Sequence, residues 1–403
     1  MAIIKKFIRM MHRESRSTGR SARQADVPDA PGGAAPGQTV GAAKPRHVHL
    51  GVDFGTCFSK LVFRDYEAPE DRSVVVVPTA DEGGDGDFRI PSLVTLSDGL
   101  LHFGWEADRR SRTPGSRSYP SIKMRAALPA AFHGPSTELP DGLTAEDLAT
   151  LAVVFLLQLG DAAASRYLKP QRARPRLSMT MGAPVKGLDQ SPAVETFLRI
   201  SRCAFDAFKH GAPPLVRGVS VADARAIAHE ARDRVAALGP PVSRRDWVRS
   251  EAESALLWAF RSPEVGAGLY GAVDVGAGST DSSFFRITPI PEHGAWRKHG
   301  LAFYGAAAGP PGMDAVCRVL AEGLGKGDFA SYRGREDEEV RNLPPSHHER
   351  LHGSYGEIYD VYLRAFRASY QKEPRQRAFA GRPLFLLGGG SCHNGLRTRL
   401  SHA

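Results

Sequence analysis

The sequence predicts an α/β protein built from two related halves. The stretch HVHLGVDFGT, which begins at His47, is typical of a strand that enters a glycine turn, and SKLVFRDY is typical of a second strand. The same layout returns in GAVDVGAGSTDSSFFRI, which begins at Gly271. Segments with helical periodicity lie between the two copies, and this mixture of strands and helices indicates the α/β class.

The remaining elements follow from periodicity and turn residues, in chain order. A strand at Val74–Pro78 is expected to precede a hairpin formed by RIPSLVTL and LLHFGWEAD, and RLSMTMGAPV is expected to form another strand. Helix and loop are expected to fill the chain up to about Gln376, before a last strand in PLFLLGGGS and a helix-like tail. The predicted helices are Ala145–Tyr167, Val194–Phe208, Val221–Leu238 and a segment around Trp247–Phe260.

Net charge and hydropathy argue against two broad classes of function. The chain has 403 residues and a formal net charge of +9, of which +6 lies in residues 1–46. The rest is close to balanced and lacks the basic stripe with interleaved aromatic residues that nucleic-acid binders show, so nucleic-acid binding is disfavoured. No stretch approaches the roughly 18 uncharged apolar residues of a membrane span, so an integral membrane protein is not expected.

The first 45 residues differ in composition from the rest. Met1–Arg13 has the pattern of a short basic amphipathic helix that could touch an anionic membrane surface. The stretch up to Pro45 is rich in Ser, Gly, Ala and Pro, which is typical of disorder. We favour a disordered basic leader over a membrane contact.

The cysteines indicate a reducing compartment. They are far apart and form no CxxC pair, a pattern that suits the free thiols of a cytoplasmic protein. The four cysteines are Cys57, Cys203, Cys317 and Cys392.

Two Asp-x-Gly turns carry the chemistry. Asp53 and Asp274 each end an apolar strand, and each offers a hard oxygen ligand, direct or through water, for the Mg²⁺ that accompanies a triphosphate. The glycines let the backbone approach a phosphate, and consecutive N–H groups there form an anion-binding concavity. Thr56, Ser59 and Ser279 can donate hydroxyls to the same oxygens. Two such turns facing each other would clamp the β- and γ-phosphates.

A third glycine turn follows the apolar run LFLL. It consists of Gly388, Gly389, Gly390 and Ser391, and an adenosine could rest on it. Without the other two turns it would indicate only a tight turn.

Taken in this order, the three turns resemble the actin, hexokinase and heat-shock chaperone superfamily, most closely the ATPase domain of the DnaK-type heat-shock 70 kDa family. GVDFGTCFS resembles its first phosphate loop, DVGAGSTD its second, and LLGGGSCHNGL its adenosine motif. SIKMR and SEAESALLWAF match the places of its catalytic lysine and glutamate. The resemblance spans about residues 47–400. It implies a two-lobed, ribonuclease H-like fold with lobe I at 46–268, lobe II with a reduced outer subdomain at 269–403, and ATP or ADP with Mg²⁺ between them.

The resemblance also implies a role for each matching residue. Asp53 and Asp274 become the magnesium-side carboxylates, Glu251 orders the attacking water, and Lys123 neutralises charge on the γ-phosphate. Asp281 is a second candidate for positioning that water. The nucleotide contacts are Gly55, Thr56, Cys57, Ser59, Gly276, Ala277, Gly278, Ser279, Gly388, Gly389, Gly390 and Ser391. From the residues alone, Lys123 could equally be a surface lysine, and Glu251 could simply favour a helix start.

Three departures from the family pattern bear on activity. Cys57 stands where the family has a hydroxyl, Ala277 stands where it has a glycine, and the chain stops at Ala403 without a peptide-binding domain. The resemblance implies slow Mg²⁺-dependent ATP hydrolysis that switches the lobes, read by a protein partner of unknown identity. The alternatives are an actin-like filament protein and an ATP-binding scaffold without turnover.

Two further motifs receive other interpretations. His348–His352 matches the HExxH pattern of zinc peptidases, but without a long apolar helix around it we expect a polar loop or short helix. Gly266–Gly271 matches GxGxxG, but it precedes a strand instead of following one, so it is interpreted as a connector. No GxxxxGK[ST] loop occurs in the sequence, which excludes a P-loop enzyme.

Overall fold

The computed structural model describes residues 44–68, 73–84, 86–127, 138–183, 192–251, 265–290, 298–325, 329–372, 379 and 381–401. Strands and helices are mixed throughout these ranges, which confirms the α/β class. The predicted helix at Met1–Arg13 and nearly all of the predicted disordered segment lie outside the described residues. The first strand begins at Lys44, so the last two residues of that segment belong to a strand.

The strands are named in chain order. They are β1 (Lys44–Asp53), β2 (Phe58–Asp65), β3 (Ser73–Val75), β4 (Ile90–Pro91), β5 (Val94–Ser97), β6 (Leu100–Phe103), β7 (Arg117–Tyr119), β8 (Ala173–Ala183), β9 (Val219–Ser220), β10 (Val248–Ser250), β11 (Gly268–Val275), β12 (Thr280–Ile290), β13 (Lys298–Gly309) and β14 (Leu384–Leu387).

The helices are named in the same way. They are α1 (Gly104–Arg110), α2 (Ile122–Ala127), α3 (Ala145–Leu168), α4 (Pro192–Lys209), α5 (Val221–Ala237), α6 (Asp314–Leu324), α7 (Glu336–Glu339), α8 (His348–Tyr370) and α9 (Asn394–Ser401).

Two of the sheets share a strand order over four strands, in which β3-β2-β1-β8 of the first corresponds to β13-β12-β11-β14 of the second. In the first, β1 pairs antiparallel with β2 and parallel with β8, and the order is β10-β8-β1-β2-β3, with β4 also on β2. In the second, β11 pairs antiparallel with β12 and parallel with β14, and the order is β13-β12-β11-β14. Each sheet therefore begins with a hairpin whose first strand gains a parallel neighbour from much later in the chain. The repeat in the sequence is also a repeat in topology. A smaller sheet has the order β7-β5-β6-β9.

The longest helix, α3, packs against the first sheet. It begins with a capping box in which the Thr144 hydroxyl accepts the Asp147 N–H at 3.1 Å. Gly160 on α3 allows close approach, because a Cβ there would lie 2.6 Å from a methyl group of Leu50 on β1. By length and composition, Ala145–Gln171 could cross a membrane, so one segment comes closer to a span than the sequence suggested. Of its most apolar 18-residue window, 72% is buried inside the protein, as in the core helix of a soluble protein.

Buried apolar residues form separate clusters in the two halves of the chain. One cluster lies within residues 48–248 and joins β1, β2, α3 and α4. A second lies within residues 273–400 and joins β11, α6 and α8. A small third one lies at Val265–Ile287. We call residues 44–251 the N-terminal half and residues 265–401 the C-terminal half. The predicted lobe boundary at residues 268 and 269 stays a prediction.

Two predicted elements were wrong, and one strand was missed. GWEAD forms α1 instead of extending the hairpin, because Gly104 turns the chain at a φ of +62° against Phe155. Val248–Ser250 is strand β10, since it pairs with β8, and the predicted helix can include only Glu251 and later residues. Residues 252–264 lie outside the described ranges. Strand β13 was missed because its Gly and Ala residues have low strand propensity, and pairing with β12 overrides that propensity.

Candidate functional site

The two Asp-x-Gly aspartates end equivalent strands but face different partners. Asp53 ends β1 opposite Lys60 of β2, and Lys60 Nζ lies 3.2 Å from Asp53 Oδ2. Asp274 lies near the end of β11 opposite Asp281 of β12. The first hairpin therefore pairs a carboxylate with an ammonium group, whereas the second pairs two carboxyl groups.

Both turns are tight, and glycine is required in the first. We call residues 54–57 turn 1 and residues 276–279 turn 2. In turn 1 the Gly55 N–H donates to Asp53 O at 3.2 Å, and a Cβ on Gly55 would collide with the carbonyl oxygen of Phe58. In turn 2 the Gly276 N–H donates to Ser279 O at 2.9 Å. These contacts explain why the sequence places glycines directly after the strand ends.

The two turns meet across the halves. A Cβ on Gly278 of turn 2 would lie 3.0 Å from Thr56 Cγ2 of turn 1 and 2.9 Å from Met124 Cγ of α2. The structure therefore brings together two sequence-predicted motifs that lie more than 200 positions apart. Because they touch in this conformation, a phosphate that inserts between Thr56 and Gly278 requires the turns to separate.

Lys123 and Glu251 form a buried ion pair. Lys123 lies on α2 with its side chain 4% exposed, and its Nζ is 2.5 Å from Glu251 Oε1. Burial by itself lowers the pKa of Lys123, but Glu251, Asp53 and Asp281 together raise it above its ordinary value. Burial also raises the pKa of Glu251, which would favour its neutral form. We take the pair as ionised, since an ammonium group at 2.5 Å holds its neighbour as a carboxylate. Lys123 is thus not an ordinary surface lysine.

Two carboxyl groups of the second hairpin have raised pKa values. Burial, followed by the charges of Glu251 and Asp53, raises the pKa of Asp274 to about 6. Burial, followed by the charges of Glu251 and Asp274, raises the pKa of Asp281 to about 8. Each of the five predicted catalytic residues therefore lies within electrostatic reach of at least three of the others.

The glycine-rich turn after β14 lies beside Asp274. Leu387 pairs with Asp274 in the sheet, and Gly388 follows with a φ of +75°. A Cβ on Gly388 would collide with Asp274 Oδ1, and one on Gly390 would lie 2.6 Å from Val275 Cγ1. Gly389–Cys392 forms a 3₁₀ turn in which the Ser391 hydroxyl donates to Gly388 O at 2.7 Å. The third predicted motif is therefore adjacent to the second.

Not every predicted phosphate contact faces the meeting point of the turns. Ser59 is 1% exposed, and its hydroxyl lies 2.7 Å from that of Ser92, so we leave it out of the phosphate contacts proposed below. Ala277 contributes a carbonyl oxygen that accepts the Asp314 N–H at 2.7 Å. Cys57 is partly buried, and burial raises the pKa of its thiol, so it is poorly suited to act as a nucleophile.

Two residues at the site were not predicted from the sequence. Lys60 reaches Asp53, and the alternation of β2 together with the hairpin register could have revealed it. Arg333 lies 212 positions from Ser121 in sequence, yet its Nη2 donates to Ser121 Oγ at 3.2 Å. No motif surrounds Arg333, so only the fold reveals it.

The charges of the site suit a divalent cation held with phosphate. At neutral pH Asp281 keeps its proton, and the carboxylates of Asp53, Glu251 and Asp274 face the ammonium groups of Lys60 and Lys123. The site therefore has an excess of one negative charge. In the described ranges no three His, Cys, Asp or Glu side chains converge as a preformed metal site. Mg²⁺ needs no such cage, since it keeps several waters and uses one or two carboxylates with substrate phosphates. Asp53 and Asp274 fit that role.

The polar loop or short helix predicted at the HExxH motif was wrong. His348–His352 begins the 23-residue helix α8, neither a loop nor a short helix, because buried Leu351, Tyr355 and Ile358 give α8 an apolar stripe. His348 Nε2 lies 3.1 Å from Leu343 O. Of the GxGxxG stretch only Gly266 and Ala267 precede β11, and Gly268–Gly271 already belong to that strand. Its interpretation as a connector was therefore wrong for four of its six residues.

Two cavities deserve comparison with the site. The larger, about 560 Å³, is an open groove bordered by His47, Phe205 and Trp247, and none of the predicted site residues lines it. The smaller, about 300 Å³, is lined by Ser121, Met124 and Gly278 and therefore borders turn 2. Of the predicted site residues only Gly278 lines the smaller cavity, and the five predicted catalytic residues line neither of the two.

Comparison with known proteins adds no relative to this picture: no protein-family model matches the chain, and no curated protein matches it.

Proposed function

We propose that this chain binds ATP with Mg²⁺ between its two halves, which have the two-lobed actin-like, ribonuclease H-like arrangement, and hydrolyses it slowly. The observation that carries the proposal is the contact of turn 1 with turn 2 at Thr56 and Gly278. The shared strand order of the two sheets supports the fold. The cluster of Asp53, Lys123 and Glu251 beside the turns supports the chemistry.

In this proposal the backbone of the two turns holds the phosphates. The Gly276 N–H already donates to Ser279 O, so the remaining N–H groups of turn 2 and the Thr56 hydroxyl donate to phosphate oxygens, and Gly278 leaves room for them. Asp53 and Asp274 face the bound Mg²⁺, which when present neutralises phosphate charge. The turn at Gly388–Ser391 supports the adenosine.

Lys123 and Glu251 act together on the reacting end of the nucleotide. Lys123 is held charged and donates to the γ-phosphate, where negative charge develops. Glu251 accepts a hydrogen bond from the attacking water and orients it. Asp281, with a pKa of about 8, keeps its proton at neutral pH and can therefore donate a hydrogen bond to that water.

The Lys123–Glu251 contact also favours a second candidate, an ATP-binding scaffold without turnover. At 2.5 Å the two side chains satisfy each other, and hydrolysis requires both to turn towards the substrate. If that rearrangement does not occur, the site binds nucleotide and only signals its presence. In either case we propose that a protein partner responds to closure of the cleft, and that the protein acts in the cytoplasm.

The test begins with the thermal midpoint of the full chain at increasing ATP, with and without Mg²⁺. A Mg²⁺-dependent rise that grows with ATP concentration is expected, because a ligand that binds only the folded state stabilises it. Phosphate release from the same sample then separates hydrolysis from the scaffold. The absence of any shift at millimolar ATP would contradict both.

A matched pair of glycine variants ties the result to the turns. Gly278→Val places a side chain against Thr56 and Met124 and should abolish the ATP-dependent shift. Gly266→Val is the control, since a Cβ on Gly266 has no heavy atom within 4 Å. Equal ATP-dependent shifts in the two variants would place the nucleotide elsewhere.

A further inference from the structure

Arg333 contacts both halves of the chain at the point where the turns meet. Its Nε and Nη2 donate to the two carboxylate oxygens of Asp314, at 2.8 and 2.7 Å. Nη2 also donates to Ser121 Oγ at 3.2 Å. A guanidinium group with this fork geometry is far more directional than a lysine, so it fixes the relative positions of its partners.

On the C-terminal side the arginine is joined to turn 2. Asp314 is the first residue of α6, and its N–H donates to Ala277 O at 2.7 Å, while the Met313 N–H donates to Gly276 O at 2.9 Å. Phe329 supports the guanidinium group from one face, with Arg333 Cζ 5.5 Å from the ring centroid. The Arg333 side chain is only 13% exposed and that of Asp314 only 6%, so the pair is shielded from solvent.

On the N-terminal side the arginine is joined to α2 and turn 1. Ser121 directly precedes α2, and its carbonyl oxygen accepts the N–H groups of Met124 at 2.9 Å and Arg125 at 3.0 Å. Ser121 has a φ of +56°, a strained value for a residue with a Cβ. Arg333 also lies close enough to Cys57 of turn 1 to lower the pKa of its thiol against the larger effect of burial.

We propose that Arg333 is a positioning residue that latches α2 and turn 1 to turn 2 through Asp314, and so sets how fast nucleotide enters and leaves the cleft. This inference rests on the proposed function for its link to nucleotide. Separation of Thr56 from Gly278 moves Ser121 and Cys57 away from Arg333, while the Arg333–Asp314 pair travels with the C-terminal half. Opening of the cleft therefore breaks the contacts that Arg333 makes with the N-terminal half.

The first experiment needs no nucleotide. Backbone hydrogen exchange is measured on the full chain for wild type, Ser121→Gly and Arg333→Gln. Ser121→Gly removes the hydroxyl and suits the positive φ, so it keeps the backbone geometry even if Arg333→Gln leaves Asp314 unpaired and misfolds. Exchange in turn 1 and α2 should accelerate about ten-fold, the effect of one lost charge-assisted hydrogen bond, with β11 and β12 unchanged.

The control is Arg335→Gln. Arg335 lies two positions further on, and its ion pair with Glu339 stays within one segment. Backbone hydrogen exchange in turn 1 and α2 of Arg335→Gln should match that of wild type. Unchanged exchange in turn 1 and α2 of Ser121→Gly would overturn the proposal. So would uniform acceleration throughout the chain, because that indicates loss of stability and not release of a latch.

The second experiment measures dissociation of a fluorescent ATP analogue by stopped flow. Ser121→Gly should release it about ten-fold faster with a thermal midpoint close to wild type, a separation that a merely structural role does not give. An unchanged release rate would overturn the link to nucleotide. If wild type binds no analogue, the proposed function fails, and the hydrogen-exchange result still decides whether Arg333 latches the halves.

Discussion

The two hairpins have the same topology and opposite electrostatics. In the first, Asp53 faces Lys60 across the strands, and both side chains are 46% exposed. In the second, Asp274 faces Asp281, and both carboxyl groups have pKa values raised by burial and by neighbouring acids. A repeated backbone therefore supplies two equivalent turns, while the residue opposite each aspartate decides whether its charge is neutralised. The second hairpin is the one that gains more from a cation.

The largest effect is expected on Mg²⁺-dependent ATP binding when each of the two aspartates is replaced in turn. Asp274→Asn should weaken Mg²⁺-dependent ATP binding by on the order of 10–100-fold, the range for loss of a group that supports a metal. Asp53→Asn should have a smaller effect, because Lys60 already neutralises Asp53. Titration calorimetry at saturating Mg²⁺ measures both affinities.

The control for these variants is Asp233→Asn, an exposed aspartate on α5 far along the chain from either turn. The affinity of Asp233→Asn for ATP at saturating Mg²⁺ should equal that of wild type. Equal losses in the two site variants, or a larger loss in Asp53→Asn, would show that the residue opposite each aspartate does not set its importance.

The next largest effect concerns the buried ion pair of Lys123 and Glu251. Lys123→Met leaves Glu251 beside Asp53 without its ammonium group, and breaking a buried pair costs about 3 kcal/mol of unfolding free energy. Adding Glu251→Gln to Lys123→Met removes the unpaired charge and should restore most of that loss. Urea denaturation measures the unfolding free energy. A loss below about 0.5 kcal/mol in Lys123→Met, the scatter of surface substitutions, would mean that the pair is solvated.

The sequence predicted the motifs better than it predicted the contacts between them. Both Asp-x-Gly turns follow the strands expected of them, because a run of alternating apolar residues before Gly is a local signal. The meeting of Gly278 with Thr56 depends on how the two sheets pack, which no local pattern encodes. The burial of Ser59 was also missed, although the apolar residues Leu61 and Phe63 share its face of β2 and the same alternation could have indicated it.

Elements whose propensity disagrees with their environment account for the other errors. The Gly- and Ala-rich strand β13 exists because β12 offers an edge along its whole length and α8 covers it, and Gly305 permits the close approach of α8. Arg333 has no sequence signal, because its partners Ser121 and Asp314 are set by tertiary packing.

An intermediate effect is expected on the pH dependence of stability, through the second hairpin. The pKa of Asp281 is about 8 in the folded protein, above the ordinary 3.8 of an unfolded aspartate. The folded state therefore holds the proton more tightly, and stability that is present at low pH is lost as the pH rises through about 8. The nucleotide-free protein should have a lower thermal midpoint at pH 8 than at pH 5.

The matched variant is Asp281→Asn, which cannot ionise. It should flatten the pH dependence and raise the unfolding free energy at pH 8 by at least about 1 kcal/mol, since each unit of pKa shift corresponds to about 1.4 kcal/mol. Denaturation at the two pH values measures the difference. A wild-type midpoint that rises from pH 5 to pH 8, with Asp281→Asn following it, would contradict the raised pKa.

The smallest effect on stability is expected from Lys60→Met, which makes the first hairpin resemble the second. The Lys60–Asp53 pair is half exposed, so its loss should cost less than about 1 kcal/mol, and 0.5 M salt should remove most of the difference. The change leaves Asp53 without its ammonium neighbour, so Mg²⁺ should stabilise Lys60→Met more than wild type. Lys169→Met, at an exposed lysine after α3, is the control and should show no gain. Thermal midpoints with and without Mg²⁺ decide the comparison, because an equal response in both variants would mean that Lys60 does not neutralise Asp53.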